Sequence, residues 1–429
     1  MPSPLRFEIF ARSTRSRARV GRVTTPHGSF DTPAFMPVGT RGSVKGLFPG
    51  MVAATGAQII LGNTYHLMLR PGADLIEKLG GLQTFTGWSG PMLTDSGGYQ
   101  AFSLSHTNKI TDDGVTFKSI IDGALVTLTP ESAMRIQNQL GADIIMAFDD
   151  CPPADVGCAM SDVGWNEASQ PPISSHPTSD IRHPTSPAYA ARLKLANERT
   201  IRWLERCDAE HRRLGGHERR ALFGIVQGGT DLAARSWCAE RITQIDLPGY
   251  AIGGVAVGEQ SDDIARVVAH TAPLLPDSRP RYLMGVGYER DLLAAVLSGV
   301  DMFDCVLPTR NGRNANAFTP AGQIRLRNAK FTNDPLPIEP GCDCPACCPG
   351  PARGTPWASP GDQPFSRAYI RHLFFAEEML GPILVSLHNL RYFQRFMSDL
   401  RATVGTDDWD GFVGRWPVAG PGLDVLTAT

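Results

Sequence analysis

The sequence predicts an α/β fold, a (β/α)8 TIM barrel with an N-terminal hairpin and a small metal-binding subdomain near the C-terminus. Three observations carry this expectation. Eight short apolar runs recur between residues 33 and 304, separated by helix-like intervals. Each run ends at glycine or a polar residue, which is where a parallel barrel holds its chemistry. A cluster of cysteines lies beyond the last run.

The runs are Pro33–Val38, Gln58–Leu61, Pro91–Thr94, Asp143–Phe148, Ala221–Val226, Tyr250–Ile252, Arg281–Met284 and Val300–Phe303. At or just past their ends stand Gly39, Asn63, Asp95, Asp149, Gln227, Gly254, Gly285 and Asp304. Three Asp, one Gln and one Asn then converge on one mouth, above an interior filled with branched apolar side chains. Ahead of the barrel, residues 5–10 and 18–24 alternate apolar and polar and read as a hairpin laid across one end. The arginines from Arg12 to Arg22 read as a solvated edge that discourages strand pairing. Residues 108–128 hold Asp-Asp-Gly and Asp-Gly turns between β-rich runs, an inserted hairpin after the third strand. Thr129 is set to cap a helix through Leu140, with Pro130 at its first position and Gly141 as its stop.

Residues 154–187 break the rhythm. They are rich in Pro, Ser, Asp and His, with His-Pro-Thr-Ser at His176 and again at His183, and read as a flexible surface insertion. A second Pro/Gly-rich loop spans Pro349–Pro364. One catalytic barrel domain is expected over 1–400, including the metal-binding subdomain at about 335–400. A C-terminal extension, 401–429, follows and turns into a loose tail from Pro417.

The 429 residues are 42% hydrophobic and 20% charged, which suits a soluble protein with a sizeable core. Basic residues number 41 against 43 acidic ones, so a nucleic-acid partner would have to meet a local patch rather than overall charge. No apolar run approaches the roughly 18 residues of a membrane span, and Met1–Phe10 has no apolar signal core. A cytoplasmic location without a membrane partner is expected. Nine cysteines, four of them clustered, fit reduced thiols and a metal site better than a disulfide framework.

The sharpest local signal is Cys342-Asp-Cys344-Pro-Ala-Cys347. Three thiolates this close favour tetrahedral zinc with one imidazole completing the set, and four protein ligands make the metal structural. On the residues alone, His388 and His372 compete for the fourth position. Leu93-Thr-Asp95-Ser96-Gly97-Gly98-Tyr99 sets a carboxylate beside bare backbone N–H groups, where a flat ligand can approach and Tyr99 can stack. Its bland reading is a tight turn with an Asp cap. The segments around Gln227 and Gly254 add an amide and open backbone at two further strand ends. With Asp149 they suit the edge of a purine-like heterocycle. Gly299–Asn316 begins as an apolar strand, carries Asp304, and breaks at Pro308 into a loop holding Arg310 and Arg313. An acid closing a buried strand must be solvated, paired or used.

Taken together, Thr94-Asp-Ser-Gly-Gly-Tyr-Gln, Ala147-Phe-Asp-Asp-Cys151, Ile225-Val-Gln-Gly-Gly, Gly253-Gly-Val-Ala-Val-Gly-Glu, Met302-Phe-Asp-Cys-Val and the Cys-x-Cys-x2-Cys site resemble the bacterial tRNA-guanine transglycosylases, the queuine tRNA-ribosyltransferases. The resemblance runs in order from about residue 5 to 400. It implies base exchange in queuosine biosynthesis. Guanine would leave the wobble position of G-U-N anticodon tRNAs (those for Asp, Asn, His and Tyr), and 7-aminomethyl-7-deazaguanine (preQ1) would replace it. The resemblance implies Asp304 as the nucleophile on ribose C1′ and Asp95 as general acid/base. Around the base it places Asp95, Ser96, Gly97, Gly98, Tyr99, Asp149, Gln227 and Gly254. Against RNA it places Gly285, Val286, Gly287, Tyr288, Glu289, Arg290 and Asp291, with Thr309, Arg310, Asn311, Gly312 and Arg313. It assigns one structural zinc per subunit to Cys342, Cys344, Cys347 and His388, and a homodimer formed through the zinc region. Val257 resembles the preQ1-type pocket rather than the roomier queuine pocket.

The chemistry is coherent with that likeness. Exchanging bases on one face of C1′ needs two inversions and hence a covalent ester. Retaining glycosidases manage the same with two carboxylates about 5 Å apart. A retaining glycoside hydrolase is the alternative, but it gives no reason for Gln227, the Gly-Gly loops, the cysteines or the arginines. An archaeosine-type relative acting on the D-arm is another, expected to carry further C-terminal RNA-binding domains. An inactive partner subunit would not need both Asp95 and Asp304. Two departures from the family pattern are the 154–187 insertion and the 349–364 insert, which lengthens the gap from Cys347 to His388.

Overall fold

A computed structural model describes residues 4–103, 109–152, 187–256, 258–348 and 363–426. At the amino end, β1 (Arg6–Arg12), β2 (Arg19–Thr25) and β3 (Gly28–Thr32) form an antiparallel sheet. The expected hairpin gains a third strand because the chain reverses at Pro26–Gly28 and pairs straight back on β2. That strand is too short to show an alternating pattern.

The barrel strands are β4 (Ala34–Gly39), β5 (Ile60–Gly62), β6 (Met92–Thr94), β10 (Ile144–Met146), β11 (Ala221–Val226), β12 (Gly249–Ile252), β13 (Arg281–Leu283) and β14 (Met302–Cys305). Each overlaps one of the eight expected runs. Neighbours are parallel throughout, and β14 returns to pair with β4, with Asp304 opposite Met36. Between β6 and β10 lies a small antiparallel sheet of β7 (Lys109–Ile110), β8 (Val115–Lys118) and β9 (Leu125–Leu128), again one strand more than expected. After the barrel, β15 (Asn316–Thr319) and β16 (Gly322–Arg325) make a hairpin.

Alternation along the strands divides the core in two. Met36, Leu61, Leu93, Ile144, Met146, Phe223, Ile225, Ala251 and Met302 form one buried cluster that Leu5, Val23 and Phe30 of the amino-terminal sheet join. These are the inward side chains, and the sheet plugs the end of the barrel opposite the strands' carboxyl ends. The intervening residues, among them Phe35, Ile145, Leu222, Ile252 and Phe303, pack outward with helix residues such as Leu204, Val267 and Leu292. Each such large apolar side chain contributes roughly 1.5–3 kcal/mol by leaving water.

One of the five arginines expected in solvent is instead buried. Arg19 pairs in bidentate fashion with Asp301, Nε–Oδ1 2.9 Å and Nη2–Oδ2 2.6 Å, at the foot of β14. A buried carboxylate in this position demands a cation, and the alternation of β2 turns Arg19 toward it.

The helix Pro130–Leu140 begins and ends as expected, with a reciprocal capping box between Thr129 and Ser132 and Gly141 left-handed at its close. The chain after Asp304 departs from expectation. Residues Leu307–Arg313 form a short helix, not a loop. Pro308 sits in the first turn, where a missing N–H and a fixed φ favour helix initiation. The 25-residue helix Leu380–Val404 runs across residue 400, and the chain beyond it is docked rather than loose. Residues Pro417–Leu426 pack as a 3₁₀ helix on the Glu289–Leu297 helix, burying Ala419 completely. Gly and Pro between its apolar residues hide that pattern in the sequence.

The insertion at 154–187, Pro187 excepted, and residues 349–362 of the second loop lie outside the described residues, as does Val257. Among the described residues no helix is long and apolar enough to cross a membrane.

Candidate active site

The mouth is built from strand ends. Asp95 follows β6, and its carboxylate is buried. Oδ1 accepts the Thr64 N–H at 2.7 Å, and Asn63 donates its side-chain amide to Oδ2. The Asn63 carbonyl caps the following helical turn through His66 N, so one side chain orders both β5's end and the acid. Burial pushes the Asp95 pKa up to about 7. The Thr64 N–H pulls against that rise, while the charges of Asp304 and Asp149 add to it.

Asp304 lies near the end of β14 and is half-buried. Among the described residues its side-chain hydrogen bonds fall on Oδ1, from the Tyr282 hydroxyl at 2.6 Å and the Gly285 N–H at 2.9 Å. Burial raises its pKa, and these two donors oppose the rise. Burial and the Asp304 charge push the Tyr282 phenol well up, so it remains a proton donor throughout the physiological range.

Asp149 and Gln227 form a third, fully internal pair. Gln227 Nε2 donates to Asp149 Oδ2 at 2.6 Å, and Ser96 Oγ donates to Oδ1 at 3.2 Å. Burial pushes the Asp149 pKa up to about 6, with those two donors working against it. Ser96 Oγ also accepts the Gly98 N–H, so the hydroxyl that links the β6 loop to Asp149 also braces its own loop. Gln227 Oε1 is buried and has no hydrogen-bond partner among the described residues, which leaves an acceptor to be satisfied. Gly254 abuts it so closely that a Cβ there would stand 2.1 Å from that oxygen. Its φ of +62° also disfavours any side chain. Tyr99, 45% exposed on the rim, is free to cover a flat group.

The two segments expected to meet RNA differ in character. Gly285 and Tyr288 are exposed, as is Arg290, whereas Val286 and Gly287 are buried. Glu289 and Asp291 turn inward, accepting from Tyr392 and Ser261 respectively. On the Leu307–Arg313 helix, Arg310, Asn311 and Arg313 are half-buried, while Thr309 and Gly312 are buried. Gly312 is pressed against the backbone of Ser386 on the long helix.

Three contributors escaped the sequence reading. Tyr282 sits inside an apolar strand and reads as core. Asn63 was visible as a strand-end residue, but its service to Asp95 required knowing that β5 and β6 are neighbours. Arg235, on the helix Leu232–Ile242, occupies one position of the buried stripe Arg235, Cys238, Ala239, Ile242. A cation in an i, i+3, i+4, i+7 stripe was the available signal.

On the flank of the barrel, Cys342, Cys344, Cys347 and His388 are all buried, with their ligand atoms within 4.8 Å of one another. The His388 Nδ1 lies 3.7, 3.4 and 3.6 Å from the three sulfurs. Metal–ligand bonds of about 2.3 Å to sulfur and 2.0 Å to nitrogen give tetrahedral edges of roughly this length. His388 Nε2 bonds the Phe318 carbonyl at 2.8 Å, which leaves Nδ1 as the lone-pair nitrogen facing the thiols. His372 is exposed against Tyr369 and takes no part in the cluster.

Fold and mouth together place the chain among closed parallel barrels that gather carboxylates at their strand ends. The queuine tRNA-ribosyltransferase family model matches residues 14–161 and 178–418, and the chain belongs to that family, which makes it a pentosyltransferase. A queuine tRNA-ribosyltransferase of Thermus thermophilus is 47% identical over 401 residues, 94% of this chain and 90% of the relative. One from Symbiobacterium thermophilum is 47% identical over 416 residues, 96% and 92% of the two chains. One from Nostoc sp. is 45% identical over 410 residues and covers 96% of each.

Proposed function

We propose that this enzyme exchanges guanine for preQ1 at the wobble position of tRNAs with G-U-N anticodons, those for Asp, Asn, His and Tyr. The observation that carries the reading is the differential holding of two acids at one mouth. The carboxylate of Asp304 is fixed through one oxygen, while Asp95 is buried and poised near neutrality.

In the first displacement, Asp304 Oδ2 bonds to ribose C1′ as the bond from C1′ to guanine N9 breaks. The electron pair leaves with the base, which takes a proton from the Asp95 carboxyl. In the second, Asp95 accepts the N9 proton of preQ1, N9 attacks C1′, and the ester to Asp304 breaks. Two inversions restore the original anomer. Asp149, Gln227 and the Gly254 main chain read the base edge, and Tyr99 stacks on its face. Arg310 and Arg313 meet phosphates of an anticodon loop opened to expose its base.

Cys342, Cys344, Cys347 and His388 would hold one zinc, which supplies structure and no step of the chemistry. Apolar side chains exposed on that flank, Leu336, Phe375 and Met379, support a homodimer assembled there. The reading sets the enzyme in the cytoplasm with its tRNA.

The test is incorporation of labelled guanine or preQ1 into tRNA-Tyr. Wild type is expected to incorporate label, and Asp304→Asn is expected to lose it together with the covalent enzyme–RNA species on denaturing gels. Absence of incorporation by wild type sinks the assignment. Undiminished incorporation by the variant removes Asp304 from its role.

A further inference from the structure

We infer that Arg235 is a positioning residue for base recognition: gripping backbone carbonyls from behind the pocket, it fixes the Gly253–Gly254 peptide so that the Gly254 N–H is presented to the bound base. The inference rests on the reading of the mouth as a base pocket.

Arg235 is completely buried. Its side-chain hydrogen bonds go to main-chain oxygens. Nη1 donates to Gly253 O at 2.6 Å and Val226 O at 3.0 Å. Nη2 donates to Gly254 O at 2.9 Å, and Nε donates to Gly229 O at 2.8 Å. The guanidinium thereby stitches the loop after β11 to the loop after β12. Burial pulls its pKa down to about 10, so it is still charged at neutral pH.

The peptide geometry gives this grip a direction. Gly253 C=O and Gly254 N–H belong to one planar unit, and in a trans peptide they point opposite ways. A guanidinium that holds the carbonyl therefore turns the N–H away from itself. Glycines alone would leave this plane free to rotate, since neither residue has a Cβ to restrict it. Cys238, one turn further along the same helix face, accepts the Gln227 N–H at 3.3 Å. One helix face thus orders two of the three residues that read the base edge. A purely scaffolding residue in this stripe could be apolar, whereas a buried cation carries a large desolvation cost. The planar five-donor fork of arginine suits several carbonyls at once, and lysine has no equivalent.

The experiment titrates guanine and preQ1 calorimetrically into wild type, Arg235→Gln and Arg235→Lys, and measures anticodon stem-loop binding alongside. Arg235→Gln should raise the base Kd about tenfold or more. RNA affinity should stay within about twofold, since the base is one contact among many. Arg235→Lys should fail to restore base affinity. Base binding by Arg235→Gln close to that of wild type overturns the inference, and so does an equal loss of base and RNA affinity. If the variants do not fold, amide hydrogen exchange in wild type decides. The Gly254 amide should gain protection at saturating preQ1, and no change there overturns the inference. Wild type that binds neither base refutes the pocket reading itself, and the inference with it.

Discussion

Asp95 and Asp304 share one mouth, and their surroundings hold them differently. Asp95 is shut in beneath Asn63 and Thr64 with its pKa near 7, where a group can both give and take a proton at physiological pH. Asp95→Asn is expected to lower base exchange by roughly 10²- to 10⁴-fold while leaving tRNA binding in place, as single-turnover rates and gel shifts would show. The raised pKa also has a thermodynamic signature. Between about pH 4 and pH 7 the folded state binds a proton at Asp95 that the unfolded chain has released, so stability falls as pH rises through this window. The stability at stake across this window is on the order of 4 kcal/mol. Urea titrations across that range should show a flatter pH dependence for Asp95→Asn than for wild type. An unchanged slope would contradict the buried, raised carboxyl. At this scale the acids and Gln227 were legible because each closes an apolar run, where a polar side chain has no packing reason to be. Tyr282 and Arg235 were not, because they occupy positions whose pattern belongs to the core.

The element on which the proposed RNA contact turns is the helix Leu307–Arg313. The sequence around Pro308 reads as a break, yet a proline in the first turn starts a helix as readily as it ends one, and only the neighbouring packing chooses. That packing is supplied by the long helix Leu380–Val404. Asn389 Nδ2 donates to Pro308 O at 2.9 Å and Asn316 O at 3.0 Å, and its Oδ1 accepts the Phe318 N–H at 3.0 Å. Asn389→Ala leaves these buried groups unpaired and should cost about 2–3 kcal/mol in urea unfolding. Arg310→Ala should weaken binding to every anticodon sequence alike and reduce the slope of log K against log salt by about one. An effect confined to one anticodon would instead mean that Arg310 reads a base. Helix caps were legible at Thr129 because capping chemistry is local. The docking of Pro417–Leu426 was not, because it depends on a groove made by another helix.

For the whole molecule, the barrel's order and closure were readable from the repeat of apolar runs, since parallel strands buried on both faces leave a continuous apolar signature. The extra strands of the two small sheets are short edge pieces without one. The fourth member of the candidate metal cluster could not be settled by spacing, and required the fold to carry residue 388 to residues 342–347. Purified protein should contain one zinc per chain by elemental mass spectrometry. Cys344→Ser should lose it and melt at lower temperature, because the cluster holds together the buried packing of Phe331, Ile338, Ile370 and Leu384. Full zinc content in that variant would place the metal elsewhere.

The pairing of β14 with β4 has a consequence for biosynthesis. Asp304 lies opposite Met36, so the proposed nucleophile is delivered by the strand that seals the cylinder against its first-made stave. A nascent chain has the proposed acid/base and much of the proposed base-edge pocket well before it has the acid proposed to attack ribose. Closure over so long a stretch of sequence is slow compared with local folding. Prematurely terminated chains should therefore be chemically silent toward RNA rather than partly reactive, because covalent capture becomes possible only with the final seam.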